Sequence, residues 1–326
     1  MKLGILGTGM IVKDLLTTID KLDIEKMYIL GTPSTKEETE KLAKEYGIEK
    51  CFYDYDEMLA SDIDTVYVAL PNFLHYSFSK KALEAGKHVI CEKPVTSNYT
   101  ELKELKAIAG EKKLILVEAM NIHYLPAYKA LKEHIKDLGS LKIVSLNYSQ
   151  YSSRYDAFKE GIVLPAFDPT KSGGALMDIN VYNIHTVVGL FGKPKRVNYN
   201  ANIERNIDTS GILTLDYGTF KAVCIGAKDC KAPIMSTYQG DKGNIIVKTP
   251  VNSMRKFELS DNQGNTQEFN FDEKAHRLSY EFKEFIEMIN NLDFKKAEKM
   301  LEVSSIASEL MEEARKQAGV VFTADK

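Results

Sequence analysis

Short apolar runs alternate with more polar segments along the first part of the chain. The apolar runs predict strands at residues 2–7, 27–31, 65–70, 88–91 and 114–117. The intervening segments predict helices at 13–22, 34–46, 56–60, 75–85 and 98–112. The second of these helices opens on Ser34-Thr35-Lys36-Glu37, a capping-box pattern, and ends at Gly47. Such alternation predicts a parallel sheet covered by helices on both faces.

The pattern changes after Glu118. Helices are predicted over 126–138, 174–191, 273–291 and 294–317. Longer strand patterns, separated by turn signals, are predicted at 141–151, 195–205, 211–217, 219–227, 233–239, 244–249 and 255–260. This part predicts an α+β arrangement with a mainly antiparallel sheet and helices on one face. We therefore expect one domain at 1–120 and a second at 121–326.

Composition and charge exclude several classes of protein. The chain has 326 residues, more than one hydrophobic core usually serves. A net charge of −3 without a long basic block argues against nucleic acid as the main partner. No apolar run reaches the roughly 20 residues that span a bilayer. Four scattered cysteines without a CxxC pair indicate free thiols in a reducing cytoplasm and no metal site.

A glycine turn follows the first predicted strand. Gly7-Thr8-Gly9 stands between a strand and a helix, where a dinucleotide-binding (Rossmann) fold brings its backbone close to a pyrophosphate. Val12 occupies the third position of the G-x-G-x-x-G pattern, so the match is partial and an ordinary glycine turn is the alternative. Its place on the first strand of a βαβ series favours the nucleotide. The residues predicted to bind cofactor here are Gly7, Thr8, Gly9, Met10 and Ile11.

The end of the second predicted strand bears on the choice of cofactor. NAD-selective folds usually carry Asp or Glu there, bound to the ribose 2′-hydroxyl, but residues 31–36 contain no acid. Ser34, Thr35 and Lys36 suit a 2′-phosphate, although Ser34 and Thr35 are also typical helix-capping residues and two glutamates follow them. The sequence favours NADP and leaves NAD open, and Ser34 is predicted to bind the cofactor.

Three further motifs follow in a fixed order. Residues 70–75 read Leu-Pro-Asn-Phe-Leu-His, residues 92–94 read Glu-Lys-Pro, and the helix at 174–191 begins with the pattern G-G-x-x-x-D from Gly173 to Asp178. Their order and spacing resemble the glucose–fructose oxidoreductase, inositol dehydrogenase and MocA family over nearly the whole chain. The resemblance implies an N-terminal Rossmann domain, and a C-terminal domain whose open sheet commonly forms a dimer interface. It also implies NAD(P)-dependent hydride transfer with a sugar, polyol or related carbonyl compound.

Lys93 is the first candidate for chemistry. It follows a predicted parallel strand at its carboxyl end, where open α/β sheets bind ligands, and Pro94 disfavours helical geometry for it. A lysine there can orient a substrate hydroxyl or donate a proton to a carbonyl oxygen. The alternative is an ordinary surface lysine, and the position argues against it.

The helix at 174–191 carries the second set of candidates. Asp178, Tyr182 and His185 are spaced i, i+4 and i+7, which predicts one shared face opposite Leu176, Ile184, Val187 and Phe191. A solvated face normally carries Lys and Glu, and this helix has neither. The pattern therefore predicts a face that lines a pocket.

The resemblance also assigns roles on this helix. Many family members have His where Tyr182 stands. Glucose–fructose oxidoreductase and dimeric dihydrodiol dehydrogenase resemble this chain in having Tyr there, as the proton donor or acceptor. The resemblance thus implies that Tyr182 exchanges the proton with help from Lys93, and that Asp178 positions a substrate hydroxyl. His185 either contacts substrate or hydrogen-bonds a neighbour.

Weaker candidates complete the predicted site. Pro71, Asn72, His75, Glu92 and Lys93 resemble the family's cofactor-lining residues, and His75 is alternatively a buried helix residue. Asn121, His123 and Arg154 are predicted to bind substrate, with a structural ion pair as the alternative for Arg154. The prediction is a metal-independent, cytoplasmic dehydrogenase or reductase, a dimer or higher homo-oligomer. The alternatives are a dihydrodiol-dehydrogenase-like enzyme on a non-sugar substrate and a nucleotide-bound metabolite sensor without turnover.

Overall fold

A computed structural model of the chain describes residues 1–271 and 275–326. It divides into two compact units, each built around its own sheet. The first unit contains Met1–Ala119 and Ala275–Ser305, and the second contains residues 120–271 and Ile306–Lys326. No helix within the described ranges is both long and apolar enough to cross a membrane.

The first unit is a parallel sheet with helices between successive strands. Its strands are β1 (Lys2–Leu6), β2 (Lys26–Leu30), β3 (Lys50–Phe52), β4 (Thr65–Val68), β5 (His88–Glu92) and β6 (Leu116–Ala119). The helices are α1 (Met10–Leu16), α2 (Lys36–Tyr46), α3 (Tyr55–Leu59), α4 (His75–Glu84) and α5 (Tyr99–Lys112). The strand order is β3-β2-β1-β4-β5-β6, and every pair is parallel. The order reverses between β1 and β4, and ligands bind at the carboxyl ends of strands beside such a reversal.

The second unit contains the other sheet. Its helices are α6 (Pro126–His134), α7 (Ser153–Lys159) and α8 (Val181–Phe191), and a π-helical turn at Leu176–Asn180 leads into α8. Its strands are β7 (Leu141–Ser149), β8 (Arg196–Glu204), β9 (Ile207–Asp216), β10 (Lys221–Ala227), β11 (Met235–Gly240), β12 (Gly243–Val247), β13 (Lys256–Asp261) and β14 (Thr266–Asn270). The strand order of this sheet is β14-β13-β12-β11-β7-β10-β9-β8. Among its described strands, only the β7–β10 pair is parallel. The predicted fold class is confirmed.

The two faces of this second sheet differ in chemistry. Alternate residues such as Val144, Leu213 and Cys224 are fully buried on one face. On the opposite face, Ile212 and Met235 are each 45% exposed, and the register places both in one row across the sheet. An alternating pattern of this kind leaves one face of an antiparallel sheet open.

The last part of the chain returns to the first unit. Helix α9 (Arg277–Asn290) buries Leu278, Phe282 and Phe285, and the Phe282 ring meets Tyr67 of β4 edge-on at 5.1 Å. Helix α10 (Phe294–Gln317) then runs from the first unit into the second. The prediction of a single domain boundary after residue 120 did not include this second crossing. The sequence of an amphipathic helix does not reveal which sheet the helix covers. Residues 273 and 274 of the helix expected at 273–291 lie outside the described residues.

Three local expectations were wrong. The helix expected at 13–22 is α1, which ends at Leu16, because the Thr17 and Thr18 hydroxyls donate to the carbonyls of Asp14 and Leu15 and compete with the helix. The capping box lies at Thr32 and Thr35 rather than Ser34 and Glu37, because Pro33 starts a 3-10 turn one step earlier. The elements β3, α7 and β14 were not expected.

Candidate active site

The glycine turn has the geometry that a nucleotide requires. Gly7 follows β1 with φ of 100°, and its amide donates to Leu30 O at 3.0 Å. A Cβ on Gly7 would lie 3.0 Å from Ala69 O, so a larger residue does not fit there. Gly9 is the N-cap of α1, no side chain caps the helix, and a Cβ on Gly9 would meet open space. The backbone amides that open α1 are thus available to a bound anion.

The turn after β2 presents hydroxyl groups. Thr32 Oγ1 lies 2.9 Å from Ser34 Oγ and 3.1 Å from Thr35 Oγ1, and all three hydroxyls are at least partly exposed. Glu38 is one of the two glutamates that follow the turn and would repel a bound phosphate. Its carboxylate forms an ion pair with Lys13 of α1. This pair offsets the negative charge that follows the turn.

Lys93 stands at the carboxyl end of β5 on a backbone held by a buried carboxylate. Tyr67 OH donates to Glu92 Oε1 at 2.6 Å, and the Lys93 amide donates to Glu92 Oε2 at 3.2 Å. Glu92 is 7% exposed, and burial raises its pKa. Its carboxylate faces inward to Tyr67, so the structure shows Glu92 as a support for Lys93 and does not support the predicted cofactor contact.

Two more buried groups hold the loop that follows Lys93. The Val95 amide donates to Glu118 Oε1 at 3.0 Å, and burial raises the pKa of Glu118 to about 7. The His75 ring lies between Pro94 O and Leu70 O, at 2.8 and 2.7 Å, and burial lowers its pKa. His75 is fully buried and links the loops after β4 and β5, which agrees with the buried alternative and does not support its predicted cofactor contact.

A third carboxylate of this region comes from the returning helix α9. Glu281 is 1% exposed, and burial together with the nearby Glu92 carboxylate raises its pKa well above the ordinary value. Glu118, Glu281 and Tyr67 were not predicted from the sequence. The detectable signal for Glu118 was a charged residue at the end of an apolar strand, which rarely occurs without a partner.

In the second unit, the π-helical turn at Leu176–Asn180 shapes the start of the pocket helix. Gly174 has φ of 103°, and a Cβ there would lie 2.1 Å from Asp208 Oδ1. Asp208 accepts hydrogen bonds from the Leu176 amide at 2.6 Å and from Tyr199 OH at 2.8 Å. Burial raises its pKa to about 6. The glycine therefore admits a buried carboxylate that binds the first turn of the helix.

Asp178 and Tyr182 are both partly exposed on this helix. Asp178 Oδ2 lies 2.5 Å from Lys228 Nζ, and the side chain of Asp178 is 37% exposed. The Tyr182 ring packs 6.0 Å from the ring of Tyr148, and the Tyr182 backbone carbonyl accepts a hydrogen bond from the Thr186 hydroxyl. A carboxylate and a phenol thus stand one turn apart on a helix that has no Lys, Arg or Glu.

His185 departs from the expected shared face. It is fully buried, and its Nδ1 lies 3.3 Å from Nε2 of His123. Burial lowers the pKa of His185 to about 3 and that of His123 well below its usual range, so both rings are neutral at neutral pH. The π-helical turn changes the helical phase between Asp178 and α8, which the i, i+7 spacing did not anticipate. Of the two interpretations, the structure shows the hydrogen bond to a neighbour.

The other predicted residues occupy varied surroundings. Asn121 is buried and donates to Asn252 O at 2.7 Å. Arg154 is exposed on α7, and no carboxylate in the described ranges pairs with it, so its alternative role in an ion pair is not seen. Met10 is 71% exposed at the start of α1. Pro71 is exposed and Asn72 half-buried in the turn after β4.

The amino-acid sequence is similar to those of known oxidoreductases. A sequence profile of the oxidoreductase family with an NAD-binding Rossmann fold, GFO_IDH_MocA, matches residues 1–120. The chain is 36% identical to scyllo-inositol 2-dehydrogenase (NADP(+)) IolU of Bacillus subtilis strain 168, over 100% of this chain and 99% of that protein. The chain belongs to the Gfo/Idh/MocA family.

Two more proteins, at lower sequence identity, resemble this Gfo/Idh/MocA protein over nearly its whole length. Human trans-1,2-dihydrobenzene-1,2-diol dehydrogenase is 26% identical over 100% of this chain and 99% of its own. The crystal structure of KijD10, a 3-ketoreductase from Actinomadura kijaniata in complex with NADP and TDP-benzene, superposes with a TM-score of 0.83 at 19% identity, covering 97% of each chain. The latter likeness concerns the fold. The predicted family is confirmed, and with it an NAD(P)-dependent oxidoreductase.

Proposed function

We propose that this Gfo/Idh/MocA protein is an NADP-dependent dehydrogenase or reductase that interconverts a secondary hydroxyl and a ketone on a cyclic polyol or sugar. The observation that carries the proposal is the partly exposed pair Asp178 and Tyr182 on a helix that otherwise lacks charged residues. A polyol offers several hydroxyl groups, which suits a carboxylate that accepts a hydrogen bond beside a phenol that exchanges a proton. The 36% identity to an NADP-dependent inositol dehydrogenase supports this substrate class.

Each residue receives one task in this proposal. Tyr182 gives or takes the proton of the reacting hydroxyl, and Asp178 accepts a hydrogen bond from another hydroxyl of the substrate. Lys93, whose backbone is fixed by Glu92, orients the reacting oxygen. Asn121, His123 and Arg154 remain predicted contributors to substrate binding, whereas the buried His185 hydrogen-bonds His123. The nicotinamide supplies the site that accepts or donates hydride.

The hydroxyl-lined turn after β2 supports NADP. Thr32, Ser34 and Thr35 offer hydrogen-bond donors to a 2′-phosphate, and no carboxylate follows β2 until Glu37. The ion pair of Glu38 with Lys13 lowers the repulsion that a phosphate would meet. Titration of the purified protein with NADPH and NADH tests this preference by nucleotide fluorescence, and tighter binding of NADH would reverse it.

A second substrate class is favoured by one specific observation. Tyr182, rather than His, stands four residues after Asp178, and the dihydrodiol dehydrogenases resemble the chain over its whole length. A trans-dihydrodiol presents two vicinal hydroxyls but no further polar groups, so it gives Asp178 a single partner. The two classes are separated by comparing kcat/KM for inositols, aldoses and a trans-dihydrodiol with the same cofactor.

We also infer that the second unit binds substrate and forms a homo-dimer through the open face of its sheet. On this face, Ile143, Ile212 and Met235 are each 45–47% exposed to solvent. Val223 and Ile225 lie between them on the same face. These apolar side chains alternate with Ser145, Asn147 and Thr214 on the same face, and an exposed cluster of apolar side chains often marks a protein–protein contact. A cytoplasmic location is proposed because none of the four cysteines forms a disulfide.

The decisive test of the proposed function is a turnover screen with matched variants. Wild-type protein is assayed with NADP and with NAD against inositols, aldoses and a trans-dihydrodiol, following NAD(P)H absorbance. Tyr182→Phe removes one oxygen atom and should abolish turnover while cofactor affinity stays unchanged, with Tyr148→Phe as control. A metabolite sensor without turnover would instead bind nucleotide, oxidise none of the substrates, and respond equally in both variants.

A further inference from the structure

Lys228 is a buried cation next to a proposed substrate-binding residue. It follows β10, its side chain is 4% exposed, and its Nζ lies 2.5 Å from Asp178 Oδ2. The same ammonium donates to Ala166 O at 3.2 Å and lies 4.7 Å from the centroid of the Phe167 ring. Three contacts from two segments therefore hold the ammonium in one place.

Stability alone gives a weak reason for a lysine here. Transfer of an ammonium from water to a protein interior carries a desolvation penalty that its partner only partly repays. The side chain of Asp178 is 37% exposed, so water can hydrate its carboxylate. Asp178 therefore does not need a buried cation in order to carry a charge in the folded protein. An apolar side chain of similar length would fill the space beside Phe167 without that penalty.

The charged groups around Lys228 show which carboxylate it serves. Asp208 on β9 is engaged by the Leu176 amide and Tyr199 OH, and Asp229 accepts from the Thr209 and Ser210 hydroxyls. Asp178 is the carboxylate that forms the ion pair with Lys228. The lysine ammonium thus pairs directly with Asp178, while its charge also opposes the burial-driven rise in the pKa of Asp208.

We infer that Lys228 is a positioning residue that holds the Asp178 carboxylate in the orientation and charge state in which it accepts a hydrogen bond from a substrate hydroxyl. This inference rests on the proposed function of Asp178. A carboxylate with one oxygen fixed by an ammonium cannot rotate freely, and it stays an acceptor at a pH where an unpaired carboxyl begins to donate. The lysine thereby defines which substrate hydroxyl groups the site accepts.

The test compares Lys228→Met with two reference changes. Met keeps the length of the side chain and removes the charge, while Lys221→Met removes an exposed lysine paired with Asp216 at 2.7 Å in the same sheet. Asp178→Asn identifies the Asp178 signal in ¹³C NMR of carboxyl-labelled full-length protein. We expect the Asp178 carboxyl to titrate at least about one pH unit higher in Lys228→Met than in wild type or Lys221→Met, because an adjacent opposite charge lowers a carboxyl pKa by about 1–3 units.

Turnover provides the second readout. Lys228→Met should lower kcat/KM by about 10–100-fold, the usual effect of removing a residue that orients a ligand-binding group. It should also move the acidic limb of the plot of kcat/KM against pH to higher pH. The loss should shrink below about 3-fold in an Asp178→Asn background, because the two residues then act as one unit. Lys228→Arg, which keeps the charge, should recover part of the activity. NADPH affinity should not change.

The outcomes separate the inference from the proposed function. An unchanged Asp178 titration in folded Lys228→Met overturns the inference, and so does an equal activity loss with and without the Asp178 carboxylate. A shifted titration in a protein that oxidises none of the substrates supports the positioning of Asp178 and contradicts the proposed function. A melting temperature measured for each variant establishes that the comparison is made between folded proteins.

Discussion

Replacing Gly174 by alanine tests whether the buried carboxylate of Asp208 shapes the start of the pocket helix. The added Cβ would lie 2.1 Å from Asp208 Oδ1, far inside the contact distance of about 3.5 Å. The carboxylate must therefore move away from the helix. It would weaken its hydrogen bonds to the Leu176 amide at 2.6 Å and Tyr199 OH at 2.8 Å.

The expected loss of stability has two parts. A residue other than glycine at φ of 103° costs about 1–3 kcal/mol in backbone strain. Disturbing a hydrogen bond to a charged group costs about 1.5–3 kcal/mol more. Gly161 provides the matched control, because it has φ of 94° and no atom within 4 Å of an added Cβ. Gly161→Ala should therefore show the backbone part alone.

Thermal unfolding followed by circular dichroism measures both variants under one set of conditions. Gly174→Ala should melt below Gly161→Ala by about 4 °C or more, since each kcal/mol shifts the midpoint of a domain of this size by about 2–4 °C. Its kcat/KM should also fall, because Asp178 lies four residues further along the same helix. Equal melting temperatures for the two variants would show that Asp208 is not tightly fixed against Gly174, and would refute the reasoning.

Three further outcomes follow from the structure. Lys93→Met should lower kcat by about 10²–10⁴-fold with NADPH affinity unchanged in a fluorescence titration, and an equal drop for Lys87→Met would contradict the assignment. Glu118→Gln should stabilise the protein increasingly between pH 5 and pH 8. The folded-state pKa of about 7 lies above the ordinary 4.5, so ionisation opposes folding as pH rises, by at most about 3 kcal/mol. A gain independent of pH in thermal melts would exclude that titration. Ile212→Asp should shift the mass measured by light scattering toward the monomer, and an unchanged mass would exclude the open face as the interface.

The fold was predictable where local pattern and sheet topology agree. Apolar strands such as residues 65–68 are buried on both faces, and that produces the continuous apolar run visible in the sequence. The return of α9 to the first unit was not predictable, because its amphipathic pattern shows a buried face without showing the partner. Phe282 meets Tyr67, a residue far away along the chain. The edge strand β14 was missed for a different reason, because its residues are mostly polar and exposed and show no apolar alternation.

The candidate site was predictable where residues follow a strand end or share a helix. Gly7, Lys93 and Asp178 were found in this way. Their supports were not, because Lys228 and Glu118 lie 50 and 23 residues from the groups they contact. His185 was wrongly placed on the pocket-lining face with Asp178 and Tyr182, because periodicity assumes a regular α-helix and the chain forms a π-helical turn before it. Such turns leave no mark in the spacing of polar residues.

In each unit, a buried ionisable side chain lies next to a partly exposed candidate for catalysis or substrate binding. In the first unit, Glu92 and Glu118 fix the backbone on either side of Lys93, and burial raises the pKa of both carboxyls. In the second unit, Lys228 holds Asp178. Buried ionic groups rarely improve stability over apolar residues of the same size, so their concentration at these positions indicates that precise placement has been favoured over stability. An enzyme that moves a proton and a hydride benefits from such placement, since small displacements of the reacting groups slow the reaction greatly.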